Sequence, residues 1–203
     1  MRSIQKIILS AFAFVVSFVV VKYGLQLYNE HAAGLAAERS IEELRQQGIE
    51  KHPEMPVLES MYHEAAAMGA STLNNESDPK KRLATAATMF LGFYLTNARE
   101  RPEFCKEYGV NISPFVYAFS QAQKPGLAKA EAALSGTPYT QDKLYAMFQP
   151  QIRKVIIQDM QDIATKSNTT IKGACELIAT NGEALASKMR AAAAVYQALE
   201  DIQ

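Results

Sequence analysis

Residues 83–95 read LATAATMFLGFYL and contain no charged side chain. A helix of this length covers about 20 Å, which is too short to cross the ~30 Å hydrocarbon core of a bilayer, so a buried core helix is expected. Asp78 and Pro79 precede the stretch as an N-cap acceptor and a proline of the first helical turn. We therefore place the centre of the fold in a helix over 79–98, with a re-entrant or second membrane segment as the alternative.

The rest of the chain also shows helical spacing of its apolar residues, and we find no segment with strand-like alternation. Proline, glycine and clusters of small polar residues separate the helical segments. Pro125 and Pro150 fall inside two segments and are expected to kink or interrupt them. The predicted fold class is all-α, with six to eight helices after the N-terminal segment. They cover residues 29–47, 57–73, 79–98, 113–134, 141–166, 169–180 and 183–199, with a short helix around Cys105.

A second uncharged stretch lies near the N-terminus, where residues 7–21 read IILSAFAFVVSFVVV. At 1.5 Å per residue it covers about 22 Å, and apolar and aromatic neighbours extend it over residues 4–28. Lys6 and Lys22 would then reach the headgroups, so membrane lipid is an expected partner through residues 4–28. We interpret the segment as an uncleaved transmembrane anchor. A cleaved signal peptide and a buried helix of a soluble protein are the alternatives.

The cations around this stretch predict its orientation. Arg2 and Lys6 precede it, whereas residues 23–38 contain no lysine or arginine. The positive-inside rule therefore keeps the N-terminus in the cytoplasm and exports the remainder. The expected protein is a single-pass inner-membrane protein with an extracytoplasmic, periplasmic multi-helix domain. A cleaved signal would instead give a soluble periplasmic protein, and in a eukaryote the same pattern would indicate a membrane of the secretory pathway.

Beyond the anchor, about 174 residues remain, which is enough for one domain with its own core. We divide the chain into a cytoplasmic tail and anchor over 1–28, a helical stalk over 29–48 and a helical domain over 49–203. Once Arg2, Lys6 and Lys22 are assigned to the anchor, 18 basic and 21 acidic side chains remain. This weakly acidic balance has no electrostatic footprint for nucleic acid, so no nucleic-acid partner is expected.

Cys105 and Cys175 are the two cysteines of the chain, seventy residues apart. Two cysteines in an exported domain most simply form one disulfide bond, here between a short connecting helix and a helix of the C-terminal third. Two separate buried thiols are the alternative. Neither cysteine belongs to a C-x-x-C, zinc-ligand or haem-attachment spacing, so no metal site and no cofactor is expected.

Glu59 and His63 stand one turn apart in the predicted helix 57–73. A histidine oriented by a carboxylate, or a pair of metal ligands, would show this spacing. An exposed salt-bridged pair shows it equally, and no distant residue supplies a clear nucleophile or third ligand. We treat Glu59 and His63 as a speculative polar site and assign no catalytic residue.

Lys80, Lys81 and Arg82 form the basic cluster of the chain, in the first turn of the central helix. Cations at a helix N-terminus oppose the macrodipole, and such a placement can indicate contact with an anionic partner. A solvated face screened by Asp78 and Glu76 is the alternative reading of the same residues.

These features favour a non-catalytic role. An anchor joined to a helical domain without a recognised active-site motif predicts a partner-binding or accessory subunit of an envelope complex, with a protein partner in the envelope. Two alternatives stay open: an envelope hydrolase acting on cell-wall or lipid material, and a small-ligand or lipid-binding sensor. The sensor would enclose an apolar cavity near four phenylalanines, Phe90, Phe93, Phe115 and Phe119.

Overall fold

The computed structural model describes residues 30–55 and 57–200. Within these ranges the chain consists of helices joined by turns, and no residue lies in a β-strand, which confirms the all-α prediction. The predicted transmembrane anchor, over residues 4–28, lies outside the described residues. No helix within 30–55 and 57–200 combines the length and the hydropathy that crossing a bilayer requires.

Nine α-helices and one π-helical turn make up the described ranges. The fifth and sixth helices run on through Pro125 and Pro150, which lie inside them. The bounds are α1 Glu30–Lys51, α2 Val57–Asn75, α3 Pro79–Leu95, the π-helical turn Thr96–Glu100, α4 Arg101–Glu107, α5 Ser113–Ala133, α6 Gln141–Lys166, α7 Ile171–Thr180, α8 Gly182–Ala186 and α9 Ala193–Glu200.

The helix α3 is the centre of the fold, as its uncharged sequence predicts. Every residue from 85 to 93 is buried, and the helix packs against α5 and α9. The side chain of Asp78 accepts hydrogen bonds from the backbone N–H groups of Lys80 and Lys81, and Pro79 occupies the first turn. The helix therefore begins where the cap and proline place it.

The end of α3 differs from the prediction. Instead of stopping near Ala98, the chain widens into the π-helical turn Thr96–Glu100 and continues directly into α4. Pro102, in the first turn of α4, cannot donate a hydrogen bond to the preceding turn. In the π-helical turn the N–H of Arg101 donates to the carbonyl oxygen of Thr96, five residues earlier. This wider turn keeps the chain helical up to the proline.

The predicted C-terminal helix over 183–199 is divided into α8 and α9. Its alanine-rich sequence has high helix propensity, but residues 187–192 are not helical and make hydrogen bonds to side chains instead. Gln123 of α5 donates to the carbonyl oxygen of Met189 at 2.9 Å, and the N–H of Ala191 donates to the hydroxyl of Tyr196 at 3.4 Å. This break raises the number of α-helices within the described ranges above the expected maximum of eight.

Four phenylalanines fill the space between α3 and α5. Phe93 and Phe119 meet edge to face with ring centroids 5.3 Å apart. Phe90 lies 6.0 Å from Phe93, and Phe115 lies 5.8 Å from Phe119. Such pairs contribute about 0.5–1.5 kcal/mol each beyond the burial of their area. The rings that the sensor hypothesis assigns to a cavity wall are therefore in contact with one another.

The helices α1 and α2 form a hairpin whose backbones approach closely. A Cβ at Gly48 would lie 2.6 Å from the Oγ of Ser60 and 2.9 Å from the backbone N of Met61. Leu44, one turn earlier, is fully buried, and α1 also packs on α6. The helix α1 thus continues across residue 48, where we divide stalk from domain; the division itself stays a prediction.

Cys105 of α4 and Cys175 of α7 form a disulfide bond, with their Cα atoms 5.6 Å apart and both residues fully buried. The bond joins the middle of the domain to its C-terminal third, as the sequence predicts. Structural disulfides are typical of proteins that fold in oxidising compartments.

Candidate functional site

Three side chains at the connection between α1 and α2 come together in what we call the His–Glu cluster: His52, His63 and Glu64. His52 Nε2 lies 3.1 Å from Glu64 Oε1, and the rings of His52 and His63 meet edge to face with centroids 4.5 Å apart. One ligating atom from each residue lies within 4.8 Å of the other two. Of the speculative pair on α2, His63 belongs to this cluster, whereas Glu59 lies exposed one turn earlier and is not a member.

The local fold explains how His52 reaches this position. The helix α1 ends at Lys51, and the N–H of His52 still donates to the carbonyl oxygen of Gly48 at 2.9 Å. A short turn then leads into α2, whose second turn carries His63 and Glu64. His52 and Glu64 escape prediction because only the hairpin brings together residues twelve positions apart. The signal that could have found them is the short proline-containing turn between two helical segments.

Glu64 is the buried anion of the cluster, with 6 % of its side chain exposed. Lys51 Nζ donates to Glu64 Oε2 at 2.5 Å. This hydrogen bond is the main reason that the pKa of Glu64 is lowered; burial opposes the effect, and the hydrogen bond with His52 adds to it. Glu64 is therefore a carboxylate at neutral pH, and its Oε1 is directed at His52.

The cluster combines two imidazoles with a carboxylate. Such a set of side chains can hold a divalent transition-metal ion, or it can pass a proton between an imidazole and a carboxylate. Glu54 Oε1 lies 4.0 Å from His52 Nδ1 and places a second carboxylate on the other side of the ring. His52 is thus oriented by its hydrogen bond to Glu64 and lies between two carboxylates.

A buried ionic network around the π-helical turn is a second polar group that the sequence analysis does not include. Glu100 is 1 % exposed and accepts hydrogen bonds from the hydroxyl of Tyr145, from Gln149 Nε2 at 3.3 Å and from Arg153 Nη1 at 3.0 Å. Arg153 also pairs with Glu107 of α4. Burial, followed by the hydrogen bond to Glu100, raises the pKa of Tyr145. These contacts hold α6 against the π-helical turn and α4.

Arg101 and Asp159 form a second buried pair beside these contacts, and we include it in the ionic network. Arg101 Nη1 lies 2.8 Å from Asp159 Oδ2, and the two side chains are 2 % and 1 % exposed. Burial raises the pKa of Asp159 to about 8, because the loss of hydration outweighs the attraction of Arg101. Asp159 stands four residues from both Val155 and Ile163 on the apolar stripe of α6. That placement is the sequence signal that marks it as buried.

The two polar groups differ in exposure. Glu100, Arg101 and Asp159 are at most 2 % exposed, and the ionic network reaches the surface through Arg153 and Glu107. In the His–Glu cluster, His63 is exposed and the side chain of His52 is 21 % exposed. No known protein family, curated protein or solved structure matches the chain. The His–Glu cluster is the candidate site, because it combines closely spaced metal-ligating side chains with an exposed imidazole.

The basic cluster of Lys80, Lys81 and Arg82 lies at least partly exposed at the start of α3. Two N–H groups of this helix end already donate to Asp78, and the N–H of Asp78 donates to Glu76 Oε1 at 2.9 Å. An anionic partner would therefore meet the basic side chains rather than the backbone of this turn. The contact stays a prediction.

Two surface grooves lie elsewhere on the domain. One, of about 210 Å³, lies between α5 and α9 and is bordered by Lys129, Arg190 and Tyr196. The other, of about 390 Å³, follows the connection between α5 and α6 at Gly136 and Thr140. Neither groove is lined by a member of the His–Glu cluster or of the ionic network, so they are separate features of the surface.

Proposed function

We propose that the chain is a membrane-anchored periplasmic protein whose helical domain acts as a non-catalytic, partner-binding or accessory subunit of an envelope complex. The proposal is supported by the exposed apolar side chains at the end of the α1–α2 hairpin. We call this end the hairpin tip and define it by Ile49, His52, Val57 and His63. Ile49 is 37 % exposed and Val57 is 43 % exposed, so the tip presents apolar side chains beside the polar His–Glu cluster. A mixed apolar and polar surface of this kind suits a protein partner.

The position of the tip along α1 adds to the proposal. The described part of α1 starts at Glu30, next to the predicted anchor, and its 22 residues extend about 33 Å. The hairpin tip is therefore at the opposite end of α1 from the segment that would enter the membrane. A partner that binds at the tip would be held at a defined distance along a single helix.

The predicted compartment has its own test. Full-length chain in native membranes should resist alkaline extraction, and a thiol reagent should label Cys105 and Cys175 only after reduction and unfolding, because the disulfide is buried. Recovery of the chain in the soluble fraction, or labelling without reductant in unfolded native material, would contradict the periplasmic, membrane-anchored assignment.

Site-specific photo-crosslinking tests the partner-binding role. A photoreactive residue at position 49 or 57 of the full-length chain should crosslink to the same membrane protein in the native host. Ile157 of α6 is the matched control, because it is 38 % exposed and lies on another helix. Ile49→Asp and Val57→Asp should each reduce recovery of that partner, whereas Ile157→Asp should not. Equal crosslinking from all three positions, or none from the tip, would count against the proposal.

A further inference from the structure

The His–Glu cluster supports a function that the partner-binding proposal does not contain. We propose that His52, His63 and Glu64 bind a divalent transition-metal ion of the zinc type, which joins the end of α1 to the second turn of α2. The site would stand even where no protein partner binds the hairpin tip, because it rests on side-chain geometry alone.

The spacing of the donor atoms suits a small ion. In zinc sites the metal lies about 2.0–2.2 Å from imidazole nitrogen and carboxylate oxygen, so neighbouring donors of a tetrahedron are about 3.4 Å apart. His52 Nε2 and Glu64 Oε1 are 3.1 Å apart, and the ligating atom of His63 lies within 4.8 Å of both. Because His63 is exposed, rotation of its side chain can close the remaining gap without disturbing the core.

Two neighbouring charges flank the ligands. Lys51 Nζ holds Glu64 Oε2 at 2.5 Å, which leaves Oε1 as a single donor oxygen. His52 Nε2 is the nitrogen directed at Oε1, and since a carboxylate can only accept, the ion would displace the proton of this hydrogen bond on binding. Glu54 Oε1, 4.0 Å from His52 Nδ1, lies on the side of the imidazole where metal sites usually have an outer carboxylate. Lys51 also places a positive charge near the ion, and this charge weakens binding.

The donor types select the class of ion. Imidazole nitrogen favours zinc, copper and nickel, whereas Mg²⁺ and Ca²⁺ prefer sites made of oxygen atoms. Three protein ligands leave a fourth position of a tetrahedron for water. ZnCl₂ is therefore the probe for this site, and MgCl₂ is the comparison.

Calorimetric titration of the full 203-residue chain with ZnCl₂ tests the site. We expect one ion per chain that an excess of MgCl₂ does not displace. His52→Ala and His63→Ala should each weaken the affinity about ten-fold or more, and the exposed position of His63 keeps that variant folded. The third histidine, His31, lies on α1 at the end opposite the hairpin tip, and His31→Ala is the matched control with unchanged affinity.

Three further variants distinguish this site from the exposed pair on α2. Glu64→Gln should weaken zinc binding about ten-fold or more, Glu59→Gln should leave it unchanged, and Lys51→Gln should strengthen it. Far-ultraviolet circular dichroism checks that each variant is folded. The proposal is overturned by the absence of zinc binding up to about 1 mM, by unchanged affinity in His63→Ala, or by loss of binding in Glu59→Gln with binding retained in Glu64→Gln.

Discussion

Replacing Cys105 and Cys175 by alanine removes the bond that joins α4 to α7 across 70 residues of chain. In the chain-entropy model, closing a loop of that length lowers the entropy of the unfolded chain enough to stabilise the fold by about 4 kcal/mol at 25 °C. Both cysteines are fully buried, so each alanine also removes packed atoms at a cost on the order of 1 kcal/mol. We expect the double variant to lose about 4–6 kcal/mol of unfolding free energy.

Equilibrium unfolding in denaturant, with and without reductant, measures this loss. Either single replacement already breaks the bond, so C105A and C175A should each lose nearly as much as C105A/C175A. The resulting coupling free energy between the two sites should be about 4 kcal/mol. The reduced wild-type chain keeps both sulfur atoms and should lose the loop-closure contribution alone.

Additive and small effects would refute this reasoning. Losses of about 1 kcal/mol in each single variant, summing in the double variant, are expected of two separate buried thiols. Reduced and oxidised wild-type chains of equal stability would lead to the same conclusion. In either case the helices α4 and α7 would be held together by packing, and the cysteines would carry no information about the compartment.

Three further predictions concern the core. Gly126→Ala should cost about 1–3 kcal/mol in thermal unfolding, because the added Cβ would lie 2.5 Å from the ring of Phe90, which is fully buried. At pH 9, where the carboxyl of Asp159 is ionised, Arg101→Met should lose about 3–5 kcal/mol in denaturant unfolding, and R101M/D159L should recover much of it. The free energy of unfolding should fall as the pH rises from about 4 to about 8. In the folded state the pKa of Asp159 is raised to about 8. Between these pH values the folded state therefore keeps a proton that the unfolded state has released. The slope of unfolding free energy against pH measures this, and a slope retained in full by Asp159→Asn would contradict it.

Local signals made the central helix and the disulfide predictable. The uncharged stretch over 83–95 is apolar on nearly all sides, and such a helix is stable only when it is buried. Asp78 and Pro79 indicated where this helix begins. Since the chain has two cysteines, Cys105 and Cys175 had one pairing open to them. The helix could be predicted from neighbouring residues and the disulfide from the number of cysteines, so neither prediction needed the tertiary structure.

Other features depend on contacts between distant residues. The break between α8 and α9 is maintained by Gln123, which stands 66 positions before its acceptor Met189. The buried charges of Glu100 and Arg101 are matched by Arg153 and Asp159, which stand 53 and 58 positions later in the chain. Helix propensity and periodicity consider neighbouring residues alone, so neither effect could be derived from them.

The hairpin and the disulfide stabilise different parts of the same domain. The disulfide joins α4 to α7, whereas the end of α1 is held by the close approach at Gly48 and by the contacts of Lys51 and His52 with Glu64. When free zinc is present at 100 times its dissociation constant, binding would stabilise any state that contains the folded cluster by about 2.7 kcal/mol. That contribution is of the same order as the disulfide's, and it acts where α1 enters the domain. Metal binding would therefore set how firmly the helix that follows the predicted anchor is attached to the core.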